Sequence, residues 1–129
     1  MRVLLDTNVL IALVDGRLRG LGEAIRDVVT DSESVVHASV ASLWEIAIKV
    51  RLGKLVLGMS PKLLPQLLEG VGLHLVAINH HHVLTVTEPE PATRDLFDRL
   101  LLAQCLVEDL RLVTIDRALL IHPLAWQVT

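Results

Sequence analysis

Two aspartates stand at the ends of short apolar runs that have the composition of buried strands. Asp6 follows V-L-L near the start of the chain, and Asp116 follows L-V-T-I, with Thr114 two residues before it. In open α/β sheets the carboxyl ends of parallel strands share one edge, and ligands bind along that edge. Either Asp alone could simply cap the helix after it by accepting free N–H groups. The pattern predicts a cap at each position and, if other carboxylates arrive there, a polar site.

A third aspartate falls on an apolar helix face. In the segment R-D-L-F-D-R-L-L-L-A-Q-C-L-V-E-D-L, helical spacing groups Asp98 with Leu101, Leu102 and Cys105. A carboxylate placed there loses hydration unless something compensates it, and a cation is the usual compensation. Asp95 is explained as a helix cap, whereas Asp98 is a candidate functional residue.

The spacing around Glu45 is ambiguous. In S-L-W-E-I-A-I-K it shares a helix face with Ser42 and Lys49, and a Glu four residues before a Lys is usually a solvated surface pair. Periodicity alone favours that surface interpretation. Lys49, Arg51 and Lys54 form the densest basic patch of the chain.

Convergence of these carboxylates would require a positive ion. Two unit charges about 4 Å apart repel by roughly 4 kcal/mol at an effective dielectric near 20, so such a cluster must be protonated or bind a cation. Hard oxygen donors select Mg²⁺ or Mn²⁺. The reaction that such an ion supports is phosphodiester hydrolysis, through an activated water and a stabilised leaving oxygen.

Specific residues exclude other classes of phosphoryl-transfer enzyme. The G-x-x-x-x-G-K-[ST] run of P-loop NTPases is absent. Asn8 stands where a phosphatase of the haloacid dehalogenase kind would need a second Asp. No Cys/His spacing for zinc is present, and His80, His81 and His82 point in different directions around a helix, which favours solvated residues at its start.

Composition sets broad limits. A chain of 129 residues that is 52% hydrophobic fits one compact domain, residues 1–129. The net charge of −3 argues against a broad basic surface for nucleic acid, although carboxylates neutralised by an ion would leave the remainder slightly positive. Aromatic residues make up only 2%, so a platform for stacking bases is not expected.

Compartment follows from cysteine usage and from the lengths of the apolar runs. A single cysteine, Cys105, excludes an internal disulfide and suits a reducing cytosol. The apolar runs are shorter than a membrane span needs, and the amino terminus enters a strand without a basic leader. We therefore expect a soluble, unprocessed cytoplasmic protein.

Strand and helix patterns alternate along the chain. They predict an α/β fold with a mainly parallel central sheet and helices on both faces. Strands are expected at 3–5, 34–38, 73–78 and 112–114, with a possible edge strand in L-A-W-Q-V. Helices are expected at 6–14, 21–29, 40–52, 61–69, from His80, and after Asp95.

Four segments in series resemble the PIN-domain family, and within it the VapC-like toxins of bacterial type II toxin–antitoxin pairs. They are L-L-D-T-N-V-L-I, W-E-I-A-I-K-V-R-L-G-K-L, R-D-L-F-D-R-L-L-L-A-Q and L-V-T-I-D-R-A-L. The resemblance implies a three-layer PIN-like sandwich and a metal-dependent ribonuclease. It also implies a homodimer and a small antitoxin protein that blocks the site.

The resemblance assigns roles to individual residues. It maps the metal-binding and catalytic carboxylates onto Asp6, Glu45, Asp98 and Asp116, and supporting hydrogen bonds onto Asn8 and Thr114. Relatives often carry H-R-D-P-F-D-R in the late motif, whereas this chain has Thr93 and Leu96 in place of the His and the Pro. The candidates for contacts to the RNA backbone are Lys49, Arg51, Lys54, Arg94, Arg99 and Arg117.

The combined interpretation is a Mg²⁺- or Mn²⁺-dependent endoribonuclease. Two alternatives remain from the sequence. One is a catalytically silent module of the same fold that binds a protein partner. The other is a DNA or flap nuclease that uses the same carboxylates, since the contacts that would recognise a 2′-hydroxyl are not readable from the sequence.

Overall fold

Four parallel strands form the centre of the molecule in a computed structural model that describes residues 1–128. The strands are β1 (Arg2–Leu5), β2 (Val35–Ser39), β3 (His74–Val76) and β4 (Arg111–Val113), in the order β3-β2-β1-β4. The helices of residues 1–128 are α1 (Thr7–Val14), α2 (Glu23–Thr30), α3 (Val40–Arg51), α4 (Leu64–Gly70), α5 (His80–Leu84), α6 (Leu96–Glu108) and α7 (Arg117–Leu120), with 3₁₀ turns at Leu18–Leu21 and Pro61–Leu63.

Successive residues of β1 point to opposite faces of the sheet, and both faces are covered. Val3 and Leu5 belong to a core cluster that includes side chains of α1, α2 and α4. Leu4 belongs to a second cluster with side chains of α6 and α7. Because β1 is covered on both faces, Val3, Leu4 and Leu5 are all buried and the strand is apolar without alternation after Arg2. The predicted α/β class, with helices on both faces of a parallel sheet, is confirmed.

Helix starts follow directly from strand ends, and local capping explains where they begin. The Asp6 carboxylate accepts the Thr7 N–H at 2.8 Å, and the Ser39 hydroxyl oxygen accepts the Ala41 N–H at 3.0 Å. Asp116 likewise accepts the Ala118 N–H at 2.8 Å. Such caps satisfy N–H groups that have no partner within the helix. As a result, β1, β2 and β4 each deliver a polar residue to the same edge of the sheet.

Three local expectations change in the structure. The L-A-W-Q-V segment forms a single parallel bridge, Leu112 to Ala125, rather than an edge strand. The third strand is shorter than predicted and covers only His74–Val76. His82 is 1% exposed, so the expectation of solvated histidines was wrong for this residue.

The buried position of His82 has a tertiary cause. Its Nδ1 accepts the Asn79 N–H at 3.1 Å, and its Nε2 therefore carries the proton that it donates to Glu108 at 3.2 Å. Periodicity along the chain could not show this, because Glu108 lies at the far end of α6.

Two further features of the structure concern Cys105 and the length of the helices. Cys105 is fully buried, and burial raises the pKa of its thiol to about 12, which suits an inert core residue. Within residues 1–128 no helix has the length and apolar character needed to cross a membrane.

Candidate metal centre and active site

Thr114 links the two strand-end aspartates. Since β1 and β4 pair in parallel, with Leu5 opposite Val113, the residues that follow each strand meet at the same edge. The Thr114 hydroxyl donates to Asp6 Oδ2 at 2.7 Å, and its oxygen accepts the Asp116 N–H at 3.0 Å. One hydroxyl therefore orients Asp6 and the backbone of Asp116 together.

Asp6 is the most enclosed carboxylate of the group, at 4% exposed. Burial raises the pKa of its carboxyl group above the ordinary value. Hydrogen bonds from the Thr114 hydroxyl and the Thr7 N–H oppose that rise, and the charges of Glu45 and Asp116 add to it. The charges of two other predicted site residues therefore act on Asp6.

Asp98 reaches the same place from the first turn of α6. Asp95 accepts the N–H groups of Phe97 and Asp98, at 2.9 and 3.1 Å, which sets the start of the helix. Burial raises the pKa of Asp98 to about 7, and the charges of Asp6, Asp95 and Asp116 contribute to this rise. The Thr93 hydroxyl donates to Asp98 Oδ2 at 3.3 Å and acts in the opposite direction.

Glu45 lies on α3 and has a partner of its own. Its Oε2 is 2.8 Å from Lys49 Nζ, and the carboxylate side chain is 13% exposed. This is the i,i+4 pair that helical spacing indicated, but it is largely enclosed rather than a fully solvated surface pair. Its charge nevertheless contributes to the raised pKa of Asp6.

Two hydrogen bonds donated by threonine hydroxyl groups lie near the four carboxylates, and neither was predicted from the sequence. The Thr7 hydroxyl donates to Ser42 Oγ at 2.9 Å and connects α1 to α3, one turn before Glu45. The Thr93 contact to Asp98 was missed as well. A signal for Ser42 was available, because Ser42 and Glu45 are three residues apart on one helix face.

Asn8 does not form the hydrogen bond that the resemblance assigned to it. It lies exposed in the first turn of α1, and among residues 1–128 its side chain has no hydrogen-bond partner. Thr7, the residue before it, is buried and donates to Ser42 instead.

The donor chemistry of these residues fits a hard divalent cation. All four side chains offer carboxylate oxygens, and within the described chain Asp6, Asp98 and Asp116 form no salt bridge to Lys, Arg or His. As the side chains lie, however, no three acidic, histidine or cysteine groups of residues 1–128 stand close enough to share one ion. The carboxylates repel one another without forming a closed ligand shell.

The six basic candidates differ in their availability for a phosphate. Arg99 is engaged with the preceding loop, since its guanidinium donates to Thr93 O at 2.8 Å and to Glu90 at 3.3 Å. Lys49 is paired with Glu45. The four exposed candidates are Arg51, Lys54, Arg94 and Arg117, and of these Arg94 and Arg117 adjoin the segments that carry Asp98 and Asp116.

Comparison with known proteins agrees with this architecture. The model of the PIN domain matches residues 3–121, which include all four carboxylates and the whole of the four strands except Arg2 of β1. No curated protein matches the chain. The PIN domain is a nuclease fold, and its members are generally metal-dependent hydrolases. With more than nine-tenths of its length matched, the chain belongs to the PIN-domain family.

Proposed function

We propose that this PIN domain is a Mg²⁺- or Mn²⁺-dependent endoribonuclease and the toxin of a toxin–antitoxin pair. The observation that carries the proposal is the enclosed carboxylate of Asp6. It is 4% exposed, held by the Thr114 hydroxyl, and subject to the charges of Glu45 and Asp116. An arrangement that costs folding free energy through burial and repulsion is typical of a functional site.

In this proposal Asp6, Glu45, Asp98 and Asp116 hold the ion or ions. When bound, a divalent cation neutralises the phosphate charge and supplies an activated water for hydrolysis. Thr114 keeps Asp6 oriented, and Asp95 fixes the first turn of α6, which carries Asp98. The charge of Asp6 acts on Asp98. Attack of the water in line with the P–O3′ bond breaks that bond, so the products carry a 5′-phosphate and a 3′-hydroxyl, as in the family that the chain resembles.

Exposed basic residues near the carboxylates are the proposed contacts for the RNA backbone. Arg94 and Arg117 have the best placement. Arg51 lies roughly 9 Å beyond Glu45 along α3, and Lys54 follows the end of that helix. Lys49 can contact the RNA backbone only if its ion pair with Glu45 breaks. Arg99 can do so only if its hydrogen bonds to Thr93 and Glu90 break. Such contacts position the strand without reading its sequence.

A homodimer, a small antitoxin protein and a cytoplasmic location complete the proposal. They rest on the resemblance to VapC-like toxins and on the reducing compartment that one buried cysteine suits. Light scattering coupled to size exclusion measures the first directly. A monomer at micromolar concentration would contradict the dimer and leave the nuclease proposal intact.

A silent interaction module is the second candidate. It is favoured by one observation, the Glu45–Lys49 pair, which occupies a carboxylate that the metal site needs. Calorimetric titration with Mn²⁺ separates the two, because a silent module lacks the affinity that Asp6, Asp98 and Asp116 would otherwise provide.

The experiment that tests the nuclease uses total cellular RNA. The purified chain and its Asp98→Asn variant are incubated with that RNA in Mg²⁺, and new 5′-phosphate ends are mapped by sequencing. Asp27→Asn, a change at an exposed aspartate of α2, is the matched control. Ends made by wild type and Asp27→Asn but not by Asp98→Asn support the proposal. Identical ends in all three samples would contradict it, and cleavage of single-stranded DNA alone would assign the DNA nuclease.

A further inference from the structure

Two of the few aromatic side chains of this protein are in contact with each other. The chain has one Phe, two Trp and no Tyr. The rings of Trp44 and Phe97 pack edge to face, with centroids 5.6 Å apart and planes inclined by 78°. The other tryptophan, Trp126, packs against the core on the face of the sheet that α1 and α2 cover. The pair therefore brings an aromatic residue of α3, Trp44, into contact with one of α6, Phe97.

The position of the pair relates it to the acidic site. Trp44 immediately precedes Glu45, and Phe97 immediately precedes Asp98, so in each case the Cα atoms of the aromatic and the acidic residue are about 3.8 Å apart. Helices α3 and α6 pack against each other. The aromatic pair consequently flanks the acidic residues where these two helices meet.

Trp44 is not one of the buried residues of α3. Its residue is 60% exposed, whereas the buried positions of α3 are Ala41, Ser42 and Ile46. Phe97 is half-buried and packs on the core cluster that contains Leu4. In an edge-to-face pair only one face of one ring is covered, so the exposed indole retains a free surface.

We propose that Trp44, held by Phe97, stacks an unpaired nucleobase of the RNA strand bound at the acidic site. This inference rests on the proposed function and adds a base-contacting residue to it. Single-stranded RNA is recognised largely through splayed bases that stack on aromatic rings, and every base has a π face to offer. A phosphate at the carboxylates places the base of the same or the next nucleotide within reach of the indole.

The low aromatic content argued against a stacking platform when only the composition was considered. Composition counts rings but not their placement. A single exposed indole is enough to stack one base, so the proposal is compatible with an aromatic content of 2%.

Steady-state kinetics on a single-stranded RNA that wild type cleaves provide the first test. Trp44→Leu removes the stacking face but keeps an apolar side chain, and it should raise KM about tenfold with kcat little changed. Trp44→Phe should stay close to wild type, since it keeps an aromatic face. Val71→Ala, an exposed apolar change at the end of α4, is the control and should have no effect.

Fluorescence provides a readout that does not depend on cleavage. In a Trp126→Phe background Trp44 is the only tryptophan. Mg²⁺ is kept so that the phosphates can bind at the carboxylates, and stopped-flow mixing records the emission before hydrolysis. A short RNA oligonucleotide should quench the Trp44 emission, because the base stacks on the indole. An abasic oligonucleotide of equal length and charge should bind through its phosphates without quenching.

The outcomes separate this inference from the proposed nuclease. Wild-type KM and kcat in Trp44→Leu, with Asp98→Asn inactive, would overturn the stacking and leave the nuclease standing. Equal quenching by both oligonucleotides would also overturn it, since the contact would not be with a base. If wild type cleaves no RNA, the nuclease proposal fails on that result. Quenching by the base-bearing oligonucleotide alone then still supports the stacking, and no quenching overturns the stacking.

Discussion

At the scale of single residues, the candidate site consists of carboxylates under electrostatic strain and hydroxyl groups that orient them. Asp98 is the clearest case, since burial raises its pKa to about 7 from an ordinary 3.8. The folded chain therefore holds a proton on Asp98 that the unfolded chain releases between these two values. The stability that this proton contributes is present at low pH and is lost as pH rises from about 4 to about 7.

Asp98→Asn should stabilise the ion-free protein at pH 8. The neutral amide removes repulsion from Asp6 and Asp116, and after allowance for solvent screening the gain is about 1–2 kcal/mol, or roughly 2–8 °C in Tm. Thermal melts in chelator measure it. The gain should shrink at pH 4, where Asp98 is protonated in the folded state of wild type. A lower Tm at pH 8 would count against a crowded acidic site.

Thr114→Val should weaken Mn²⁺ binding by about 10- to 100-fold, because it removes the hydroxyl that orients Asp6 and accepts the Asp116 N–H. Titration calorimetry gives the two affinities. Thr114→Ser keeps the hydroxyl and should bind as wild type does. Equal affinities of the Val and Ser variants would show that Thr114 has no orienting role toward an ion.

At the scale of secondary-structure elements, a buried polar network holds α6 in position and hence Asp98 with it. Gln104 is fully buried, accepts the Ser39 hydroxyl, and donates to Ala77 O and His82 Nδ1 at 3.5 Å each. It therefore connects the end of β2 to α5 and α6. The helical pattern of the late segment placed Gln104 on α6, but nothing in that pattern indicated a polar partner on a strand.

Gln104→Leu should lower the free energy of unfolding by about 2 kcal/mol, because the substitution leaves the Ser39 hydroxyl without its acceptor in a site that excludes water. Urea denaturation measures the loss. Gln66→Leu, at an exposed position of α4, is the matched control and should change stability by only a few tenths of a kcal/mol. Similar losses in the two variants would argue that the network is not what stabilises α6.

At the scale of the whole molecule, an ion that binds only the folded state should raise its stability. At a free Mn²⁺ concentration about 100 times the Kd, binding raises the free energy of unfolding by about 2.7 kcal/mol. Wild type and Asp27→Asn should therefore melt at higher temperature in Mn²⁺ than in chelator, whereas Asp98→Asn should respond little. An equal response in all three would indicate binding away from the carboxylates.

Local features of the sequence were enough to predict the succession of strands and helices and the caps between them. Asp6, Asp95 and Asp116 each accept N–H groups from the turn that follows them, which is an interaction within three residues of the chain. The L-A-W-Q-V segment was predicted less well, because whether it becomes a strand depends on contacts with β4.

Tertiary structure alone decided which side chains meet. The contact between Thr114 and Asp6 spans 108 residues of sequence, and that between Thr7 and Ser42 spans 35. Only folding could bury His82, engage Arg99 with its loop, and bring Trp44 against Phe97. By itself the sequence determined the elements and the residues available for chemistry, because capping and periodicity act over a few residues. The mutual placement of the carboxylates depends on parallel pairing of β1 and β4, whose ends are far apart in the chain.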